Sequence, residues 1–600
     1  MASDVKALEA CEALSTENGL RLLAEAMGMN PLARTAEDAL NSNPLHEVIP
    51  IDWAEIIRAL RTLWLHQISR PENAAAKLVD LSLRVWQSTL EIWNDATLRC
   101  LGLEPSPPRQ AAAEDKRFAA LEWQHNPGYH TLKELYLLAS EWLLGLAAET
   151  ELMTAAERQR LTFHVRQFVD AMSPALSFAS NPVVLRRALE TGGASLADGW
   201  RNLIGDLQQG KLTMVDATAF QPGRNLAVSA GKVVYRNKLI ELIQYESQSE
   251  SVHEIPLLII PPWINKFYIL DLQPRNSMVK FLTEQGFTVF MVSWRNPDAS
   301  MENTTIEEYL DFGLLAPRDA VQEITKSPTL NVMGYCIGGT LLAMALAWLA
   351  ARGDDRFAAA TFIVSLQDFS RVGDTAMFLG ESHVDFIEQR MLERGYLDSR
   401  EMSNMFNLLR SNDLIWSNVV NNYLLGLKPP AFDLLYWNSD GTRMARAAHS
   451  WYLRNTYVEN NLIKPGKIHL KDVPLDLRQI RLDIYAVGAE KDHIVPWDAA
   501  WRIKQLAAGK TRFVLASSGH IAGIINPPGG KGSYWTNDEK NDTPARWRES
   551  AQRHEGSWWT DWAAWLAARS GSKRKRPSLG STLHPPLQDA PGSYVLEGSY

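Results

Sequence analysis

The stretch "TLNVMGYCIGGTLLAMALAWLAARG", residues 329–353, constrains the fold of this chain more than any other. A short apolar run ends at Tyr335, Cys336 follows between Gly334 and Gly338, and an uncharged apolar segment runs from Ile337 to Ala351. That segment is too short to cross a bilayer and reads as a buried core helix. A buried strand turning directly into a buried helix needs a tight turn, and the glycines permit close strand–helix approach around it. A thiol at the apex sits at a helix N-terminus, where the dipole favours a thiolate. With serine in its place the frame would be a nucleophile elbow. Taken alone, the motif also fits a structural cysteine packed in a turn.

The neighbouring sequence sharpens the choice. "IPLLIIPP" (255–262), "FTVFMVSW" (287–294), "AATFIVSL" (359–366), "LDIYAV" (482–487) and "RFVLA" (512–516) are short apolar runs with helical text between them. This is the pattern of strands buried on both faces of a parallel sheet. The expected fold is α/β: an α/β-hydrolase catalytic domain over 206–568, with a helical cap inserted at about 371–478. Apolar residues of that insertion, such as Phe386, Met391, Leu408 and Trp416, would either wall the site from water or form the cap's own core.

Before it, 1–205 reads as a mainly helical domain. "KLVDLSLRVWQSTLEIW" sets Leu78, Leu81, Val85, Trp86, Leu90 and Trp93 on one helix face. "EPSPPRQAAAED" (104–115) is a loop by composition. Residues 569–600 are rich in Gly, Ser and Pro and read as a peripheral tail.

Composition excludes several classes. At 46% hydrophobic and 22% charged, the chain is that of a globular protein. A net charge of −8 gives no electrostatic case for nucleic acid, and the "KRKR" run at 573–576 reads as a solvated patch. Three cysteines, Cys11, Cys100 and Cys336, with no C-x-x-C pair argue against a disulfide scaffold or a metal site, so no metal or cofactor is expected. The N-terminus lacks the pattern of a signal peptide, which makes the cytoplasm the expected location.

An elbow nucleophile requires an acid and then a histidine, each after a late strand. Asp492 in "VGAEKDHIVP" and His520 in "ASSGHIAG" meet that order. Either could be a loop residue by itself; three in register make a candidate triad of Cys336, Asp492 and His520. The oxyanion donors would be the backbone N–H of Ile337 and one from the loop "PPWINKF", where Ile264 is the candidate because prolines have no N–H. His493 and Trp437 are candidates to stand behind the reacting groups, with ordinary loop or core packing as the alternative.

With these residues in place, the chain resembles the polyhydroxyalkanoate synthases, class I type. The resemblance is carried by "FQPGRNLAVSAGKVVYRNKLIELIQY", "PPWINKFYILDLQPRNSMVKFLTEQGFTVFMVSWRNP", "GYCIGGT", "LLYWNSDGTRM", "SWYLRNTYVENNL", "AEKDHIVPW" and "SGHIAGIINPP". "AALEW" in the N-terminal region and Ala445 depart from the family's usual forms. The resemblance implies catalytic roles for Cys336, Asp492 and His520. It also implies an (R)-3-hydroxyacyl-CoA substrate such as 3-hydroxybutyryl-CoA, a growing polyester chain, a homodimer and attachment to polyester granules. Whether Asp492 orients His520 or acts on the substrate hydroxyl stays open at this point. A cysteine-dependent thioesterase and a non-catalytic granule scaffold are the competing readings.

Overall fold

The computed structural model describes residues 45–68, 71–103, 115–150, 153–378, 380–539 and 543–598. The chain divides into two compact units: residues 1–214 with 406–430, and residues 215–405 with 431–600.

The first unit is helical. Its longer helices are Trp53–Ile68, Pro71–Cys100, Pro127–Ala148, Ala155–Ala171, Pro182–Glu190 and Ala194–Gln209. Asn126, Thr154 and Asn181 cap three of them through side-chain oxygens, each just before the first helical residue. Pro71–Cys100 differs from the one-faced burial expected from its periodicity. It buries Ile92, while Trp86, Leu90 and Trp93 are exposed; the side chains of Leu78 and Leu81 lie outside the described residues. So does nearly all of the loop expected at 104–115. Residues 406–430, which the sequence assigned to the cap, cluster with this helical unit, and there Trp416 packs with Ile51 and Ile56.

The second unit is built on one eleven-stranded sheet. In chain order its strands are β1 (Gly231–Arg236), β2 (Ile240–Tyr245), β3 (Leu257–Ile260), β4 (Val289–Trp294), β5 (Leu330–Tyr335) and β6 (Phe357–Ile363). They continue with β7 (Asp483–Ala489), β8 (Thr511–Ala516), β9 (Ser533–Thr536), β10 (Gln552–Glu555) and β11 (Gln588–Asp589). The spatial order is β10-β9-β8-β7-β6-β5-β3-β4-β2-β1-β11. The central six, from β8 to β4, pair in parallel, and the outer strands are antiparallel.

All six parallel strands coincide with the apolar runs read from sequence; β3 to β7 are almost wholly buried, and β8 is buried from Phe513 to Ala516. Helices cover both faces, as an all-parallel core requires. The helix Ile337–Ala351 is buried from Ile337 to Leu349. It packs in a core with Leu258, Val332, Phe362 and Trp501.

The end of the chain is not a loose tail. Lys573–Lys575 pairs with Ser251–His253, and β11 extends the main sheet through Lys232 and Val233. Backbone pairing needs no apolar text, so composition alone could not reveal it. Of the insertion between β6 and β7, residues 373–378 and 433–458 lie against the loops at the C-terminal ends of the parallel strands. Asp374 N–H donates to the His493 carbonyl at 3.2 Å, and Thr442 N–H to that of Ile264 at 3.3 Å.

Candidate active site

Cys336 sits between β5 and the helix Ile337–Ala351 with φ 51° and ψ −123°, a conformation costly for any residue with a Cβ. It is held there by its own N–H on the Ile363 carbonyl at 2.9 Å, and by its carbonyl on Gly339 N–H at 2.9 Å. The flanking glycines are required by contact. A Cβ on Gly334 would stand 2.5 Å from the Gly339 Cα, and one on Gly338 would overlap the carbonyl oxygens of Ile260 and Pro261. The G-x-C-x-G frame therefore exists because strand, helix and the loop after β3 meet with no room for side chains.

Asp492 follows β7 and His520 follows β8. The two loops are tied by Lys491 N–H on the Ser518 carbonyl at 2.8 Å. The Asp492 Oδ2 lies 2.6 Å from His520 Nδ1. Its Oδ1 accepts the N–H groups of Ile494 and Val495, each at 2.9 Å. The Asp492 side chain is fully shielded from solvent, so every oxygen it has is already engaged. With Nδ1 on the carboxylate, the other ring nitrogen is the one left to serve the Cys336 thiol, with which the imidazole interacts. The Tyr335 ring stacks against the imidazole at 6.0 Å, the planes 23° apart.

Burial works against a charged imidazole here. The Asp492 carboxylate and then Cys336 outweigh it, and His520 is raised from 6.5 to about 10. The arrangement thus favours the imidazolium that forms when His520 accepts a proton.

The oxyanion candidates are placed as follows. Ile337 opens the elbow helix, and Ile264 lies in the loop after β3. Neither backbone N–H has a backbone acceptor among the described residues. Trp437 donates its indole N–H to the Lys266 carbonyl at 2.7 Å, so it touches that loop. His493 meets the site through its backbone, its carbonyl anchoring residue 374.

Sequence reasoning missed Tyr452 and Tyr457. Residues five apart lie on different faces of an α-helix. Here the segment Arg454–Val458 is a π-turn, and its i→i+5 geometry brings them together edge to face. Their rings are 5.9 Å apart, with Phe369 packed edge-on to both. Both hydroxyls are pushed up by burial and, further, by the neighbouring Cys336. The available signal was "SWYLRNTYVENNL", but α-helical periodicity separates the two tyrosines. Of the apolar residues proposed as a water barrier, Met391 is buried in the core and Phe386 is exposed. Leu408 and Trp416 belong to the helical unit. The aromatic residues that interact with the thiol are instead Tyr452 and Tyr457, and Phe369 and Trp263 pack against them.

Among the described residues no group of His, Cys, Asp or Glu could hold a metal ion, and no helix is long and apolar enough to cross a membrane.

Residues 114–282 match the family model of the poly-beta-hydroxybutyrate polymerase (PhaC) N-terminus. Residues 255–527 match the α/β-hydrolase fold. A poly(3-hydroxyalkanoate) polymerase subunit PhaC of Cupriavidus necator is 43% identical over 529 residues, covering 87% of this chain and 89% of that protein. A poly(3-hydroxyalkanoate) polymerase of Methylorubrum extorquens is 41% identical, covering 90% of each chain. Poly(3-hydroxyalkanoate) polymerase 2 of Ectopseudomonas oleovorans is 38% identical, covering 93% of this chain and 97% of its own.

Proposed function

This chain belongs to the poly(3-hydroxyalkanoate) polymerase family, an acyltransferase of polyester synthesis, and we propose that it polymerises short-chain (R)-3-hydroxyacyl-CoA through an acyl thioester on Cys336. The observation that carries this reading is the imidazole of His520, held by Asp492 through Nδ1 and interacting with the thiol of a strained elbow cysteine.

In the first half-reaction His520 takes the thiol proton and the Cys336 thiolate attacks the thioester carbonyl. The oxyanion is received by the N–H groups of Ile337 and Ile264. The bond to the coenzyme A sulfur then breaks, and coenzyme A leaves as a thiol with the proton from His520. In the second half-reaction His520 takes the proton of the 3-hydroxyl of another hydroxyacyl unit. That oxygen attacks the Cys336-bound carbonyl, the thiolate leaves, and an ester bond remains. Exchange of one thioester for another costs little, so the acyl group stays activated until the ester forms. A serine would form an oxoester first and lose that driving force.

The full occupancy of both Asp492 oxygens supports an orienting and electrostatic role for it, with His520 as the base in both halves. The bulky wall of Trp263, Phe369, Tyr452 and Tyr457 supports a short acyl side chain. Homodimerisation, a cytoplasmic location and attachment to polyester granules belong to the same proposal.

The test is CoA release from (R)-3-hydroxybutyryl-CoA by wild type and Cys336→Ala, with the acyl product identified. Polymer from wild type and no turnover from the variant is the expected result. Free 3-hydroxybutyrate as the sole product would mean a thioesterase and sink the reading.

A further inference from the structure

The loop after β3 is gripped by the insertion between β6 and β7. Trp263 and Ile264 share one peptide unit, and the Trp263 carbonyl accepts the Thr442 hydroxyl at 2.5 Å. In a trans peptide the C=O and the following N–H point in opposite directions. Anchoring that carbonyl on Thr442 therefore aims the Ile264 N–H away from Thr442, and no backbone acceptor among the described residues takes it. The following carbonyl, of Ile264, accepts the Thr442 N–H, and Asn265 forms a bridge with Gly441. On the sheet side, the Trp294 indole N–H holds the Pro261 carbonyl at 2.9 Å, the same carbonyl against which Gly338 of the elbow packs.

Beside these contacts lies a buried charge pair. Lys266 Nζ stands 2.8 Å from Asp440 Oδ1, with the two side chains 7% and 2% exposed. The Tyr268 hydroxyl donates to Asp440 Oδ2 at 2.7 Å, and Trp437 binds the Lys266 carbonyl. A buried ion pair adds little net stability over apolar packing of the same volume, whereas it does specify one geometry. Lys266 and Tyr268 sit on the loop; Asp440, Trp437 and Thr442 sit on the insertion.

We propose that Thr442 and Asp440 are positioning residues for acyl transfer: they fix the loop Trp263–Tyr268 so that the Ile264 N–H is presented as an oxyanion donor. This rests on the acyl-transfer reading of Cys336. The segment "NSDGTRM" is then part of the reaction site although none of its side chains touches the reacting atoms. A small displacement of a preorganised donor lowers turnover without changing the nucleophile.

The test compares Thr442→Val, Thr442→Ser and Asp440→Asn in the full-length enzyme. Two rates are read: CoA release from (R)-3-hydroxybutyryl-CoA, which needs an oxyanion donor, and alkylation of Cys336 by iodoacetamide, which does not. Thr442→Val keeps the side-chain shape and removes the hydroxyl. We expect kcat for CoA release to fall about 10²-fold, the scale of losing one oxyanion donor. Alkylation should stay within about twofold of wild type, since it uses only the thiol and its base. Thr442→Ser should restore most of kcat, and Asp440→Asn should follow Thr442→Val. A kcat within twofold of wild type for Thr442→Val would overturn the proposal. So would a parallel fall in alkylation, which would mean general disturbance of the elbow. If Cys336→Ala still releases CoA, the nucleophile assignment fails instead, and the two failures are distinguishable.

Discussion

Replacing Asp492 by Asn tests the heart of the candidate site, and the geometry dictates how it should fail. Asp492 Oδ1 accepts two backbone N–H groups, and Oδ2 accepts from His520 Nδ1. An amide can satisfy only one side. With its oxygen on Ile494 and Val495, its NH2 faces Nδ1, which must then accept. Nε2 then carries the proton and can no longer take one from the thiol or the substrate hydroxyl. With the amide flipped, its NH2 collides with two backbone donors. The magnitude follows from the imidazole itself. Raising His520 from 6.5 to about 10 against its burial corresponds to about 5 kcal/mol of preference for the imidazolium. The Asp492 carboxylate is the main group opposing that burial. Losing the carboxylate slows a step that builds the imidazolium, on the scale of the about 10⁴-fold loss when a triad acid becomes its amide.

Because His520 serves as base in both half-reactions, both should suffer. Rapid-quench measurement of the first CoA released, beside steady-state polymer formation, separates acylation from elongation. A variant that acylates at the wild-type rate and only elongates slowly would refute the orienting role. It would assign Asp492 to the substrate hydroxyl instead.

Other perturbations follow from the same contacts. Gly338→Ala drives a methyl into the Ile260 and Pro261 carbonyls. It should cost upwards of about 3 kcal/mol by overpacking and abolish turnover, read as a lowered Tm and lost CoA release; wild-type Tm would contradict the close approach. Tyr457→Phe removes a hydroxyl that interacts with Cys336 across the π-turn. The loss of a hydrogen-bonding group beside a charge is worth about 1.5–3 kcal/mol, so kcat should fall about 10- to 10²-fold with Tm little changed; undiminished kcat would rule the hydroxyl out. For pH, the raised His520 contributes stability that is fully present below 6.5 and is lost as pH climbs through about 10. The Tm advantage of wild type over His520→Gln should therefore shrink between pH 7 and pH 10; an advantage that grows over that range would invert the assignment.

What the sequence made legible was whatever leaves an apolar signature. Strands β3 to β8 are buried on both faces, so each announces itself as a continuous apolar run, and the residues directly beyond β5, β7 and β8 could be named as nucleophile, acid and base. The hairpin of β1 and β2 leaves no apolar run, because Lys232, Arg236 and Glu241 interrupt it. β11, two residues in a Pro- and Gly-rich stretch, is defined by backbone pairing alone. Trp86, Leu90 and Trp93 show the converse. Periodicity establishes that they share a face of the helix, but not that anything covers it. Tyr452 and Tyr457 escaped because the rule that reads helix faces assumes 3.6 residues per turn, and the chain departs from it just where it approaches the thiol.

The departure bears on how such a site keeps its acyl group. An α/β-hydrolase elbow with a histidine base is equally competent to activate water, so the difference between a polymerase and a thioesterase must lie in what surrounds the thiol. A continuous α-helix through 446–458 would turn one of the two tyrosines away, opening a face beside Cys336. The π-turn instead presents both rings, and Phe369 and Trp263 close the wall around them. The two tyrosine hydroxyls on that wall are both protonated at neutral pH, because burial and Cys336 push them upward. They can donate to a substrate oxygen but cannot act as bases toward water. Deleting one residue within 454–458, to restore α-helical winding, should therefore raise the ratio of free hydroxy acid to polymer before it lowers total CoA release. Product analysis by chromatography measures that ratio, and an unchanged ratio with lowered CoA release would place the control of water elsewhere.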